Sequence, residues 1–155
     1  MAETQSFVLP STHAQGLANY PHARILQGND GLTIYVSGIS SRRGDGTFVG
    51  ATKNENGELV LDIRLQTAEV LANIDTVIKG ASIGKAGLQN VIDATVFLVN
   101  IPRDYTGMND EWNKIWPDRT KAPARTTVEV RALPNPNILV EIKCVVYVPL
   151  TSQRR

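Results

Sequence analysis

One stretch constrains the fold more than any other. From Ile138 to Val148 every second residue is apolar (Ile138, Val140, Ile142, Cys144, Val146, Val148), and Leu139, Glu141, Lys143, Val145 and Tyr147 lie between them. Side chains of a strand alternate between its two faces. This segment therefore reads as a long strand with one wholly aliphatic face that something must cover. A preceding strand at Thr126–Arg131 offers Thr126, Val128 and Val130 as the matching apolar face. It leaves Arg125, Thr127, Glu129 and Arg131 on the same side as Leu139, Glu141 and Lys143. The linker Leu133-Pro134-Asn135-Pro136-Asn137 predicts a tight reversal between the two strands.

The cover comes from helices. After Asp62, a good N-cap, the residues Ile63, Val70, Leu71, Ile74, Val77 and Ile78 fall at three- and four-residue spacing, and Gly80 stands where a C′ glycine belongs. A second helix is predicted over Thr106–Trp116, with Met108, Trp112, Ile115 and Trp116 on one stripe and Pro117 as its stop. Further strands read at Pro21–Gln27, Leu32–Gly38 and Val91–Val99, the last so apolar that both its faces are expected to be covered. Ser40–Gly57 reads as a long polar loop with a short strand at Thr47–Ala51. The order is β-β-loop-α-β-α-β-β. Two helices cover one face of such a sheet, so the face bearing Tyr35, Val145 and Tyr147 is expected to meet another subunit.

A length of 155 residues fits one domain: an extended lead-in over 1–19, the domain over 20–150, and a tail over 151–155. With 42% hydrophobic and 20% charged residues, the composition excludes a disordered chain. Sixteen Lys and Arg against fifteen Asp and Glu leave a net charge of +1, without the basic footprint of a nucleic-acid binder. The single cysteine, Cys144, excludes a disulfide framework and a cysteine-based zinc site, and two histidines, His13 and His22, leave little for an imidazole-rich one. No signal-peptide pattern and no apolar run near the roughly 18 residues of a membrane span is visible. A cytoplasmic protein without membrane or nucleic-acid partners is expected.

No familiar catalytic motif is present, but four features carry charge or chemistry. Glu141, between aliphatic residues, is either a sheet-surface ion-pair partner or a partly desolvated carboxylate able to handle protons near neutrality. Arg125 follows Pro123 at a strand mouth, where it is either an edge charge or a two-pronged grip for a carboxylate. Ser40-Ser41-Arg42-Arg43 is either a solvated loop tip or an anion clamp. His22 is a lone histidine, more often structural than catalytic. Trp112 and Trp116 read most simply as helix-to-sheet packing, and Cys144 as a small buried hydrophobe.

An ordered series of segments also resembles a known family. Val36-Ser37-Gly38, Asp62–Thr67 with Asn73-Ile74, Thr95–Leu98, Tyr105–Asn109, Pro123–Val130, Leu133-Pro134 and Val140-Glu141-Ile142 follow one another as in the Rid (reactive intermediate deaminase, YjgF-like) family, over about residues 20–150. Tyr20-Pro21-His22, Ser37–Arg43 and Thr47–Ala51 resemble its 2-aminomuconate deaminase branch. The resemblance implies an α+β, chorismate-mutase-like fold, a mixed sheet with two helices on one face, built into a homotrimer with clefts between subunits. It implies cofactor-free, metal-free hydrolysis of enamines or imines, here 2-aminomuconate-like dicarboxylic ones, to a ketone and ammonia. A generalist deaminase of 2-aminoacrylate-derived imines and a non-catalytic ligand-binding or chaperone-like trimer are the alternatives.

By that resemblance Arg125 holds the small anionic substrate's carboxylate and Glu141 positions or activates water. Gly38 and the backbone at Thr127 line the cleft, and Asn109 lies near the subunit boundary. Archetypal members carry a cysteine where this chain has Thr127, and a tyrosine near Pro21, for whose place Tyr20 and His22 are the candidates. Ser40, Arg42 and Arg43 are expected at the substrate, and, as a reading apart from the resemblance, Arg42 or Arg43 is expected to hold a distal carboxylate.

Overall fold

The computed structural model describes residues 3–150. Six strands form one sheet: β1 (Glu3–Phe7), β2 (Ala23–Gln27), β3 (Gly31–Ile39), β6 (Val91–Leu98), β7 (Ala124–Glu129) and β8 (Val140–Pro149). Their order across the sheet is β1-β2-β3-β8-β6-β7. All neighbours are antiparallel except β6 and β7. A separate hairpin pairs β4 (Ala51–Lys53) with β5 (Leu59–Leu61). The helices are α1 (Ile63–Ala81) and α2 (Ile101–Ile115). The fold is α+β, with a mixed sheet carrying both helices on one face.

The aliphatic alternation does what the sequence predicts. Val140, Ile142, Cys144, Val146 and Val148 are buried against Val70, Leu71, Ile74, Val77 and Ile78 of α1 and Met108 and Trp112 of α2, with Ala94, Val96 and Leu98 completing the layer. Burial raises the Cys144 thiol to about 12, which makes it an inert packing residue. Across the sheet Tyr35 and Tyr147 stay 46% and 38% exposed in the single chain.

Several expectations need correction. The segment β1, which has no periodicity, adds an edge strand to β2. The polar stretch after Ser40 contains the β4–β5 hairpin, so the short strand begins at Ala51 and not Thr47. Gly80 does not end α1. The helix runs on to Ala81, and the left-handed residues beyond it are Ile83 and Gly84, at φ 53° and 75°. Gly80 lacks a side chain because the Phe7 ring fills that space. Strand β6 is covered on one face only: Ile92 is 53% exposed, and Thr95 and Phe97 are half-buried. Pro102 lies in the first turn of α2, where its missing N–H costs nothing, so the helix starts at Ile101 and not Thr106.

The largest correction concerns β7. It does not form a hairpin with β8, because β6 lies between them and α2 is the crossover that makes β7 parallel to β6. Register pairs Arg125 with Ala94 and Thr127 with Val96, residues of the helix-covered face. Thr126 is exposed. The predicted faces of β7 are therefore reversed, and Arg125 and Thr127 point toward α2. Alternation could not decide this, since neither face of β7 is purely apolar.

A fully buried amide ties the loops to the core. Gln66 of α1, 0% exposed, accepts from the Leu139 N–H (2.8 Å) and donates to the carbonyls of Asn137 (2.7 Å) and Gly50 (3.3 Å). Removing it strands up to three backbone groups, each costing about 1–3 kcal/mol when unpaired. Gln66→Ala is expected to lower stability by about 3 kcal/mol or more in urea titration. A loss below about 1 kcal/mol would mean that solvent replaces the amide.

Candidate active site

The bulge where β3 bends, between Val36 and Ile39, brings Gly38 against Glu141 of β8. A Cβ at position 38 would overlap the Glu141 carboxylate, so the absent side chain makes the space that carboxylate occupies. Glu141 pairs in register with Phe97 on the open face of the sheet. Among the described residues no ion pair includes it. Burial raises its pKa above the ordinary 4.5, because the surroundings remove water from the charged form without supplying a cation. Within the chain Glu141 is thus a half-buried carboxylate with no ion-pair partner among the described residues.

Glu141 forms part of the wall of a cavity of about 230 Å³. Tyr20, His22, Gly38, Ser40, Arg42 and Arg43 line it too, so seven of the expected site residues converge. Its roof is the segment Thr12–Leu17, which follows β1. Three links hold that roof. The Gln15 side-chain amide donates to the carbonyls of Leu9, Pro10 and His13, all at 3.1 Å. Arg42 donates through Nη1 to the Gln15 carbonyl (2.9 Å). His22 accepts at Nδ1 from the Leu9 N–H (3.1 Å), which leaves its proton on Nε2 for the Ala14 carbonyl (2.8 Å). His22 is thus buried, with both ring nitrogens engaged by backbone.

Arg42 is half-buried and Arg43 exposed. The loop that carries them is fixed from below, where Asn73 of α1 donates to the carbonyls of Ser40 (3.0 Å) and Arg42 (3.3 Å). Tyr20 is exposed at the rim and accepts weakly from the Leu17 N–H. Gln15, Asn73 and Gln66 are site-building residues to which the sequence assigns no role. Gln66 and Asn73 stand within segments that carry the family resemblance, and Gln15 has no signal beyond polarity in a turn-rich stretch.

Arg125, Thr127 and Asn109 do not line this cavity. Arg125 and Thr127 share one face of β7, the edge strand, and Asn109 lies on α2. Arg125 packs its guanidinium over the Trp112 ring and Asn109 follows Met108 on α2. The Thr127 hydroxyl is buried without a hydrogen-bond partner. Arg125 and Glu141 thus occupy opposite faces of one sheet, two strands apart. Within the chain the expected site residues are therefore not all brought together. Among the described residues no three His, Cys, Asp or Glu side chains converge as a metal-ligand group.

Comparison with known proteins agrees with this architecture. The family model described as Endoribonuclease L-PSP matches residues 14–148. A RutC family protein of Synechocystis sp. is 36% identical over 88 residues, 57% of this chain and 63% of that protein's length. A RutC family protein of Sulfurisphaera tokodaii is 35% identical over 114 residues, 72% of this chain and 77% of the relative. A solved Yersinia pestis structure, described as belonging to the conserved Rid protein family, superposes with a TM-score of 0.69 at 30% identity, covering 94% of this chain and 100% of that one. With residues 14–148 matched and the fold shared at 30% identity, the chain belongs to the endoribonuclease L-PSP family, which takes in the RutC and Rid proteins.

Proposed function

We propose that the protein is a deaminase of the Rid type, hydrolysing small carboxylate-bearing enamines and imines to ketones and ammonia without a cofactor. The observation that carries this reading is Glu141, a desolvated carboxylate seated on Gly38 in the wall of a small cavity. Burial makes the Glu141 carboxylate easier to protonate than an ordinary one, so one side chain can give a proton and take one back. Protonating the enamine carbon gives an iminium ion. Water adds to its carbon as Glu141 removes a proton, and the carbinolamine collapses with its nitrogen leaving as ammonia. Each turnover consumes one water.

In this reading Arg125 of a neighbouring chain completes the site by holding the substrate's carboxylate. Two observations support an intersubunit site: Arg125 and Glu141 lie on opposite sheet faces, and the face holding Glu141 keeps Tyr35 and Tyr147 exposed. A closed homotrimer, with each cleft shared by two chains, satisfies both. The cavity's volume lies below the roughly 300–1,000 Å³ of drug-sized sites, which suits a small organic acid. A net charge of +1 gives no field to gather a polyphosphate, which disfavours ribonucleic acid as the substrate.

Arg42 and Arg43 at the same cavity support a dicarboxylic substrate, of the kind 2-aminomuconate represents, over the monocarboxylic imines of a generalist. Ammonia release from enzymatically generated 2-aminomuconate and from 2-iminobutyrate tests both levels. Release from neither makes the protein a binding module. Alanine at 43, whose side chain does not hold the roof as Arg42 does, is expected to lower dicarboxylate turnover at least about tenfold while sparing the monocarboxylate, since one charge-assisted contact is worth about 1.5–3 kcal/mol. Equal losses on both substrates would contradict the distal-carboxylate role.

A further inference from the structure

We infer that Trp112 is the positioning residue for Arg125, holding its guanidinium from one face so that its N–H fork stays open to a carboxylate. This rests on the proposed role of Arg125. A half-buried arginine ordinarily finds an acid, yet among the described residues no ion pair includes Arg125. The acid nearest along its own face of β7, Glu129, is occupied in accepting from the Ile101 N–H at the start of α2 (2.7 Å).

The guanidinium carbon instead lies 4.8 Å from the centroid of the Trp112 ring, and Nη1 points to the Met108 sulfur at 3.9 Å. A ring face attracts a cation without consuming the donors in the guanidinium plane, and a thioether is a weak acceptor. An aspartate would fix the group as well but would fill the fork.

The support is itself rigid. Trp112 is 5% exposed, and its ring centroid is 4.3 Å from that of Trp116, one helical turn on. Two residues along the strand, and on the same face, the Thr127 hydroxyl is buried with no partner. Arg125 thus keeps donors that no acid of its own chain takes up, as a residue that receives an incoming carboxylate requires.

The test is steady-state kinetics of ammonia release from 2-iminobutyrate by Trp112→Phe, Trp112→Leu and Arg125→Ala, and by Trp112→Leu combined with Arg125→Ala. Trp112→Leu is expected to raise KM about threefold to tenfold with kcat nearly unchanged, and Trp112→Phe to keep most of the wild-type KM. On the Arg125→Ala background, Trp112→Leu is expected to add nothing further. An unchanged KM in folded Trp112→Leu, or an equal loss with and without Arg125, overturns the positioning role. Wild-type kinetics in Arg125→Ala would instead overturn the role of Arg125 itself. Should Trp112→Leu not fold, tryptophan emission during titration with 2-oxobutanoate gives the same answer. A saturable change in wild type that is lost in Arg125→Ala supports the inference, and no saturable change contradicts it.

Discussion

Alanine at position 125 is expected to lower kcat/KM for a carboxylate-bearing enamine between about tenfold and a hundredfold, the kinetic equivalent of one lost charge-assisted contact of about 1.5–3 kcal/mol. The chain's stability should change little, because Arg125 forms no ion pair among the described residues and contributes a stacked cation over Trp112. Lysine at the same position should recover only part of the loss. Its ammonium keeps the charge but not the planar fork that meets two carboxylate oxygens together. Wild-type turnover in the alanine variant, measured as ammonia release, would remove Arg125 from the mechanism.

Glutamine at position 141 separates activity from stability. The amide cannot shuttle a proton, so turnover is expected to fall about a hundredfold to ten-thousandfold. Stability should move the other way. Burial raises the folded-state pKa of Glu141 above its ordinary 4.5. The unfolded chain therefore releases this proton at lower pH than the folded chain does. Between the two values the folded state binds more protons, so stability falls as pH rises.

At pH 7, well above the ordinary carboxylate value, the wild type bears a penalty for the buried charge that the glutamine variant does not. The variant should melt at a higher temperature than wild type at pH 7, with the gap closing as pH falls toward the ordinary carboxylate value. A variant less stable than wild type at pH 7 would mean that the Glu141 charge is stabilised by a partner in the assembled protein. Stability sacrificed at a group needed for chemistry is a common mark of an active site.

The parts of the fold legible in the sequence are those where a period is sustained. The aliphatic face from Val140 to Val148 and the stripe from Val70 to Ile78 are long, regular and buried as expected. Strand β7 is legible as a strand but not in its facing, because Arg125 and Thr127 face the covered side at the cost of a stacked cation and an unpaired hydroxyl. No arithmetic of hydropathy favours that choice. Its partner is hidden as well: proximity in sequence suggested a hairpin with β8, whereas the α2 crossover places β7 beside β6.

The cavity is legible in its charged residues and not in its architecture. Glu141, Arg42 and Arg43 stand out as types in the sequence. The roof over Thr12–Leu17 does not, since it is built from backbone bonds to Gln15, His22 and Arg42 that carry no periodic signature. Gln66 and Asn73 lie on a helix whose apolar stripe draws attention away from them, yet they fix the loops at the cavity's edge.

The intersubunit site is tested most directly by mixing. Arg125→Ala and Glu141→Ala chains, each strongly impaired alone, are unfolded together in equal amounts and refolded so that subunits exchange. If a site takes Glu141 from one chain and Arg125 from its neighbour, about a quarter of the sites recover both wild-type residues, and about a quarter of wild-type ammonia release returns. If mixed trimers form and no activity returns, Arg125 and Glu141 do not serve one site across a subunit boundary.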